Sequence, residues 1–169
     1  AEKNGSYDLY LLVWCSAFPW YNMGMDLHHY LKQHSQQDEQ LAVPSYARTQ
    51  FKQHDEPTMV GVLAIHGYLS NPLDVDAVAQ YLYREGALDV LSIRLSGHGT
   101  TPHDLAACRY TQWQREVQDA YRAMASQYNY VVVYGVSMGA MLALYLAHTE
   151  RVHRVVCVAP IVRPSDWRI

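Results

Sequence analysis

Ser137 stands at the centre of Gly135-Val136-Ser137-Met138-Gly139, a Gly-x-Ser-x-Gly run whose residue types suit nucleophilic chemistry. A serine hydroxyl is a weak nucleophile near neutral pH and needs a neighbouring base to become reactive. An attacked carbonyl also pushes negative charge onto its oxygen, and that charge needs preorganised N–H donors. The run alone is weak evidence, because small residues surround serine in many ordinary turns. Its flanks add meaning. Tyr130-Val131-Val132-Val133-Tyr134 is short, apolar and β-branched, which predicts a buried strand. Ala140-Met141-Leu142-Ala143-Leu144-Tyr145-Leu146-Ala147 is an apolar run of good helix formers. Strand, sharp turn and helix with serine at the apex is the pattern of a nucleophile elbow. Gly135 and Gly139 keep that turn uncrowded, and the serine falls at the positive end of the following helix.

The elements that must position this serine are also legible. Val62-Leu63-Ala64-Ile65 predicts a strand ending in His66-Gly67-Tyr68. Asn71-Pro72 then starts a helix, with Asn as cap and Pro at the first helical position. Val75, Val78, Ala79 and Leu82 share one face of it, and Gly86 marks its stop. Val90–Leu95 predicts the next strand, ending in Ser96-Gly97-His98-Gly99. Thr111-Gln112-Trp113-Gln114 predicts a capping box. Trp113, Val117, Ala120, Tyr121 and Met124 follow as a core-facing stripe. Arg154–Ala159 predicts a further strand. Alternating strands and helices of this kind predict an α/β fold, a doubly wound and mainly parallel sheet.

Residues 58–160 resemble the α/β-hydrolase superfamily. His66-Gly67-Tyr68, Arg94-Leu95-Ser96-Gly97-His98-Gly99 and Gly135-Val136-Ser137-Met138-Gly139 carry the resemblance, in that order. They are most similar to the carboxylesterase and monoacylglycerol lipase branch. The resemblance implies a serine hydrolase of carboxylic esters that works through an acyl-enzyme on Ser137. It implies oxyanion donors in the backbone amides of Tyr68 and Met138. It gives His66, Gly67, Gly135, Gly139 and His98 site-shaping roles, and no cofactor and no metal. Fold specificity is high and substrate specificity low. A non-catalytic binding module of the same fold and an acyltransferase using the same serine are the alternatives.

The resemblance also sets an expectation of incompleteness. Its catalytic order is Ser, then Asp or Glu, then His, with the last two on later strands. Arg154–Ala159 reads as the sixth strand, and no Asp or His stands beyond it where those partners belong. The expected fold is therefore truncated after the sixth strand, with Asp166 near the start of a cap segment. Residues 1–57 are expected to hold an N-terminal extension and the first strands, 58–160 the core, and 161–169 the cap's beginning. Among internal histidines, His148 lies eleven residues from Ser137, about 16 Å along a helix. His153 precedes a strand, at the end away from the site. His66, His98 and His103 follow strand ends on the site side.

Composition bounds the partners. The chain has 169 residues and a net charge of −3, with nothing basic enough to suggest nucleic acid. A small-molecule ester is the expected partner. Cys15, Cys108 and Cys157 fit neither a zinc motif nor a disulfide framework. The compartment stays open between cytoplasm and a processed periplasmic or secreted form. His28-His29 and His98…His103-Asp104 lack metal-ligand spacing. Leu9–Trp14 is too short for a membrane span and lacks a basic flank. Asp26 predicts a helix cap, with Leu27, Tyr30 and Leu31 on one face and Pro44 beyond its end. Gln33–Gln40 reads as a solvated helix end or loop, and Tyr46–Gln53 as a strand. With no seventh strand, Arg154–Ala159 is expected to be an open apolar edge, prone to self-association or to pairing with a missing C-terminal fragment.

Overall fold

The computed structural model describes residues 11–14 and 26–161. Cys15, Asp166 and the expected cap segment from residue 162 onward lie outside the described residues. Among the described residues, six strands form one sheet in the order β1-β6-β5-β3-β4-β2. They are β1 (Leu11–Trp14), β2 (Gln50–Lys52), β3 (Val60–Ile65), β4 (Asp89–Ile93), β5 (Tyr130–Val136) and β6 (Arg154–Val158). The inner four run parallel, while β1 and β2 pair antiparallel at the two edges. The described helices are α1 (Leu27–Gln40), α2 (Leu73–Arg84), α3 (Pro102–Ala107), α4 (Tyr110–Gln127) and α5 (Met138–Thr149).

Alternation along the strands divides the core between two faces. Leu63 and Ile65 of β3, with Leu91 and Ile93 of β4, join Trp113, Val117, Met124, Leu142 and Leu146 from the helices α4 and α5. Val62, Ala64 and Val90 point the other way and pack with Val75 and Ala79 of α2. Helices thus cover both faces, as a doubly wound parallel sheet requires. Cys157 is fully buried in β6 as a small core residue. No helix among the described residues is long and apolar enough to cross a membrane.

Several expectations need correction. β6 is not an open edge. Leu11–Trp14 lies along it in antiparallel register, with Leu12 opposite Val156 and Val13 opposite Val155. Its backbone groups therefore have a partner, and the premise for self-association through Arg154–Ala159 falls. The stretch Tyr46–Gln53 is a strand only over Gln50–Lys52, because a 3₁₀ turn takes Ser45–Ala47. The capping box at Thr111 does not form. α4 begins at Tyr110, which places Thr111 inside the helix, and the cap residue Arg109 makes no side-chain bond. A capping box instead opens α3, where Thr101 and Asp104 satisfy each other's backbone N–H groups. α2 begins one residue later than expected, though Asn71 Oδ1 still accepts from Leu73 N at 3.0 Å. Asp26 caps α1 as expected, accepting from His29 N at 2.8 Å.

Candidate functional site at the strand ends

β5 delivers the chain to Ser137, and α5 leaves directly after it. Ser137 has φ 54° and ψ −114°, a conformation that L residues rarely adopt. Such a backbone costs on the order of 1–3 kcal/mol and persists only when its surroundings enforce it. The enforcement is visible. Ser137 N donates to Val158 O at 2.9 Å, and its carbonyl accepts from Ala140 N at 3.1 Å. A Cβ on Gly135 would overlap the Gly139 carbonyl, and one on Gly139 would overlap the Ile65 and His66 carbonyls. Strand, turn and helix pass so close that both flanking positions must be glycine. The Ser137 side chain does not cap α5 and is half-buried. Its hydroxyl stands at the helix N-terminus, beside first-turn amides that have no intrahelical acceptor.

The loop after β3 runs alongside. Gly67 comes near enough that a Cβ there would touch Ser137 Cβ at 3.5 Å. His66 is fully buried. Its Nε2 accepts from Leu95 N at 3.2 Å, which makes Nδ1 the protonated nitrogen, and Nδ1 donates to Gly67 O at 2.8 Å. Burial pushes this imidazole down to about 3, so it stays neutral. A trans peptide points its C=O and N–H in opposite directions. By fixing the Gly67 carbonyl, His66 therefore also fixes the direction of the Tyr68 N–H. Gly67 N in turn donates to Asp74 Oδ2, a long contact at 3.4 Å.

The loop after β4 completes the arrangement. His98 is buried, and its Nδ1 contacts Ser96 O at 3.2 Å. Its Nε2 has no partner among the described residues. Burial lowers its pKa as well. The ring packs edge-on against His66, centroids 4.8 Å apart, and against Tyr68 at 6.1 Å. It lies 5.2 Å from the Trp113 ring, whose Nε1 donates to Ser96 O at 2.9 Å.

Ser137, Met138, His66, Gly67, Tyr68, Gly135, Gly139 and His98 thus share one end of the sheet. His103 lies on the exposed start of α3. His148 is in the last turn of α5, and His153 accepts from Val131 N at the start of β5, both at the opposite end. Among the described residues no histidine hydrogen-bonds the Ser137 hydroxyl. The lone pair of His66 is already used by Leu95 N, which removes it as a base. No group of His, Cys, Asp or Glu suited to a metal occurs among the described residues. The sequence reading missed Asp74, which contacts Gly67, and Arg94, a buried charge behind the His98 loop. For Arg94 a signal existed: a charge ending an otherwise apolar strand.

A mainly parallel, doubly wound sheet with a strained serine between β5 and α5 defines an α/β hydrolase. The chain belongs to the family described as Serine aminopeptidase, S33, which it matches over residues 56–167. It is similar to a thermostable monoacylglycerol lipase from Bacillus sp. (strain H-257), 33% identical over 108 residues, covering 63% of this chain and 42% of that protein. It is also similar to a carboxylesterase from Bacillus subtilis (strain 168), 29% identical over 96 residues, covering 56% of this chain and 39% of that one. A solved structure from work on the metagenome-derived lipolytic enzymes LipS and LipT superimposes with a TM-score of 0.58 at 29% identity. It covers 63% of this chain and 42% of that chain. The chain therefore spans about two-fifths of the length of these relatives.

Proposed function

We propose that this chain carries the nucleophile and the oxyanion-binding elements of a serine hydrolase acting on carboxylic esters. The observation that carries this reading is the backbone of Ser137, held at φ 54° and ψ −114° with its hydroxyl unused by the helix it precedes. Relatives described as a monoacylglycerol lipase and a carboxylesterase support an ester substrate. Ser137 Oγ attacks the ester carbonyl carbon and passes its proton to a base. The C–O bond forms as the carbonyl π electrons move to oxygen. The backbone amides of Met138 and Tyr68 receive that oxyanion, and each such donor is worth about 3 kcal/mol in the transition state. Collapse expels the alcohol, and water then releases the acid from the acyl-enzyme. His66 and His98 shape the site and do not take the proton. By the pattern of the α/β-hydrolase superfamily, the acid and the base come from outside residues 58–160.

A fluorophosphonate probe tests the assignment. It should label the chain at Ser137, slowly because the activating base lies outside residues 58–160, and Ser137→Ala should remove the label. The 169-residue chain should turn over p-nitrophenyl butyrate very poorly, since without its base only residual catalysis remains. Labelling at another residue, or none, would count against Ser137. Brisk turnover lost on Ser137→Ala would point to a base within the chain, and His98 and His103 would be the positions to replace. An amino-acid p-nitroanilide serves as the amide control, and preference for it would overturn the ester reading.

A further inference from the structure

α1 lies outside the stretch that matches the family, yet it is connected to the loops beside Ser137. In the polar run Gln33–Gln40, Asp38 is buried, 1% exposed. Its Oδ1 accepts from Arg94 Nε at 2.6 Å and its Oδ2 from Thr49 N at 3.0 Å. Arg94 is 3% exposed, and a guanidinium does not lose its proton inside a protein. It must therefore be paired, and its planar fork fixes where its remaining donors point. One of them, Nη1, donates to the His98 carbonyl at 3.2 Å.

That carbonyl belongs to the peptide leading into Gly99, which has φ +72° and leaves no room for a Cβ against Ala47. The loop is thus held on its inner side by Arg94 and by the segment after α1. On its outer side the His98 ring lies against His66 and Tyr68. His66 sets the Gly67–Tyr68 peptide.

We propose that Asp38 is a positioning residue: through Arg94 and His98 it fixes the loop that orients the Tyr68 amide. The catalytic consequence rests on the functional reading above; the structural consequence does not. Without Asp38 the Arg94 charge is left buried and unpaired, and the donor to the His98 carbonyl loses its direction.

Two variants and two readouts test this on the full chain. Asp38→Leu combined with Arg94→Met removes both charges, a replacement that buried pairs commonly tolerate. Asp38→Asn is isosteric and keeps an acceptor for Arg94. Hydrogen exchange should show residues 66–68 and 96–99 exchanging faster in the double variant, with β4 and β5 still protected. Fluorophosphonate labelling of Ser137 should slow roughly 10- to 100-fold, the scale of a small misplacement at a reacting centre. Asp38→Asn should move both readouts the same way by less. Cooperative unfolding with wild-type exchange at both segments would overturn the proposal, and Asp38→Asn decides in the same manner where the double variant does not fold. Failure of the wild-type chain to label at Ser137 defeats the functional reading alone, because the exchange measurement still judges Asp38.

Discussion

The two ends of the same sheet handle buried polar groups in opposite ways. Where β4 begins, Asp89 is 2% exposed and fully engaged. It accepts from His54 N at 2.9 Å, His54 Nδ1 at 2.8 Å and Tyr128 Oη at 2.6 Å. Nearby, His153 accepts from Val131 N and His54 Nε2 contacts Tyr83 O. Where β3, β4 and β5 finish, groups are held in place but left unspent. The Ser137 hydroxyl caps nothing and His98 Nε2 is buried without a partner among the described residues. Leu69, Ser137 and Ala159 all take positive φ there, whereas Ala87 does so before β4 at the other end. Satisfied groups stabilise one end, and constrained, unsatisfied ones keep reactivity available at the other. This is the division expected when a site sits at the carboxyl ends of parallel strands.

That contrast can be broken at several points. The largest effect is expected from Ser137→Gly. It should abolish fluorophosphonate labelling outright while raising stability by about 1 kcal/mol, since glycine accepts positive φ without strain. Chemical denaturation measures the second half, and a loss of stability would show that the turn is not strained.

Acid should weaken the fold, and the site-end His66 should contribute most of the loss. His66 has a folded pKa of about 3 against an ordinary 6.5. The folded state resists a proton that the unfolded chain accepts, so the contribution is complete above pH 6.5 and is lost as pH falls towards 3. The slope is about 1.4 kcal/mol per pH unit for one such group. His34, His98 and His153, lowered chiefly by burial, act in the same direction. Burial alone would raise Asp89, but hydrogen bonds from Tyr128 and His54 outweigh it and hold the carboxyl below its usual range. Its stabilisation is present above its ordinary 3.8 and is lost only as pH falls below that value. Stability measured from pH 7 to pH 4 should therefore slope, and His66→Gln should make it shallower.

Asp89→Ala should cost about 3 kcal/mol, because it strands buried donors that bonded a charged acceptor. Ser137 labelling should stay within about two-fold of wild type, and a larger fall would mean that the two ends are coupled. The smallest effect is expected from Glu150→Gln, which breaks the partly exposed pair with Arg122 at 2.7 Å. A pair of this kind is worth roughly 0.2–1 kcal/mol, best read as a shift in denaturation midpoint.

What the sequence disclosed follows from which forces are local. β3, β4 and β5 are short, mostly apolar segments, and their order along the chain and the loops after them were readable. The glycines around Ser137 were readable because the turn cannot be built with a side chain at either. Asp38 was not, because a lone Asp among glutamines carries no sign of burial until α1 is laid against Arg94. The Thr111 box failed because a capping pattern records compatibility with a helix start, and the helix started two residues earlier, with Arg109 at the cap. β1 could not be assigned a partner, since an apolar tetrad such as Leu11–Trp14 has no preference for β6 until the sheet exists.

The pairing of β1 with β6 also fixes an order of events in synthesis. Leu11–Trp14 leaves the ribosome well before Arg154–Val158, its partner in the sheet. Their ladder joins segments as distant in sequence as Leu12 and Val156, the kind of contact whose loop closure slows folding. Until β6 emerges, an apolar strand waits unpaired, in the condition that exposes nascent chains to aggregation. Among the described strands, the ladder beside β6 is thus the one that can form last.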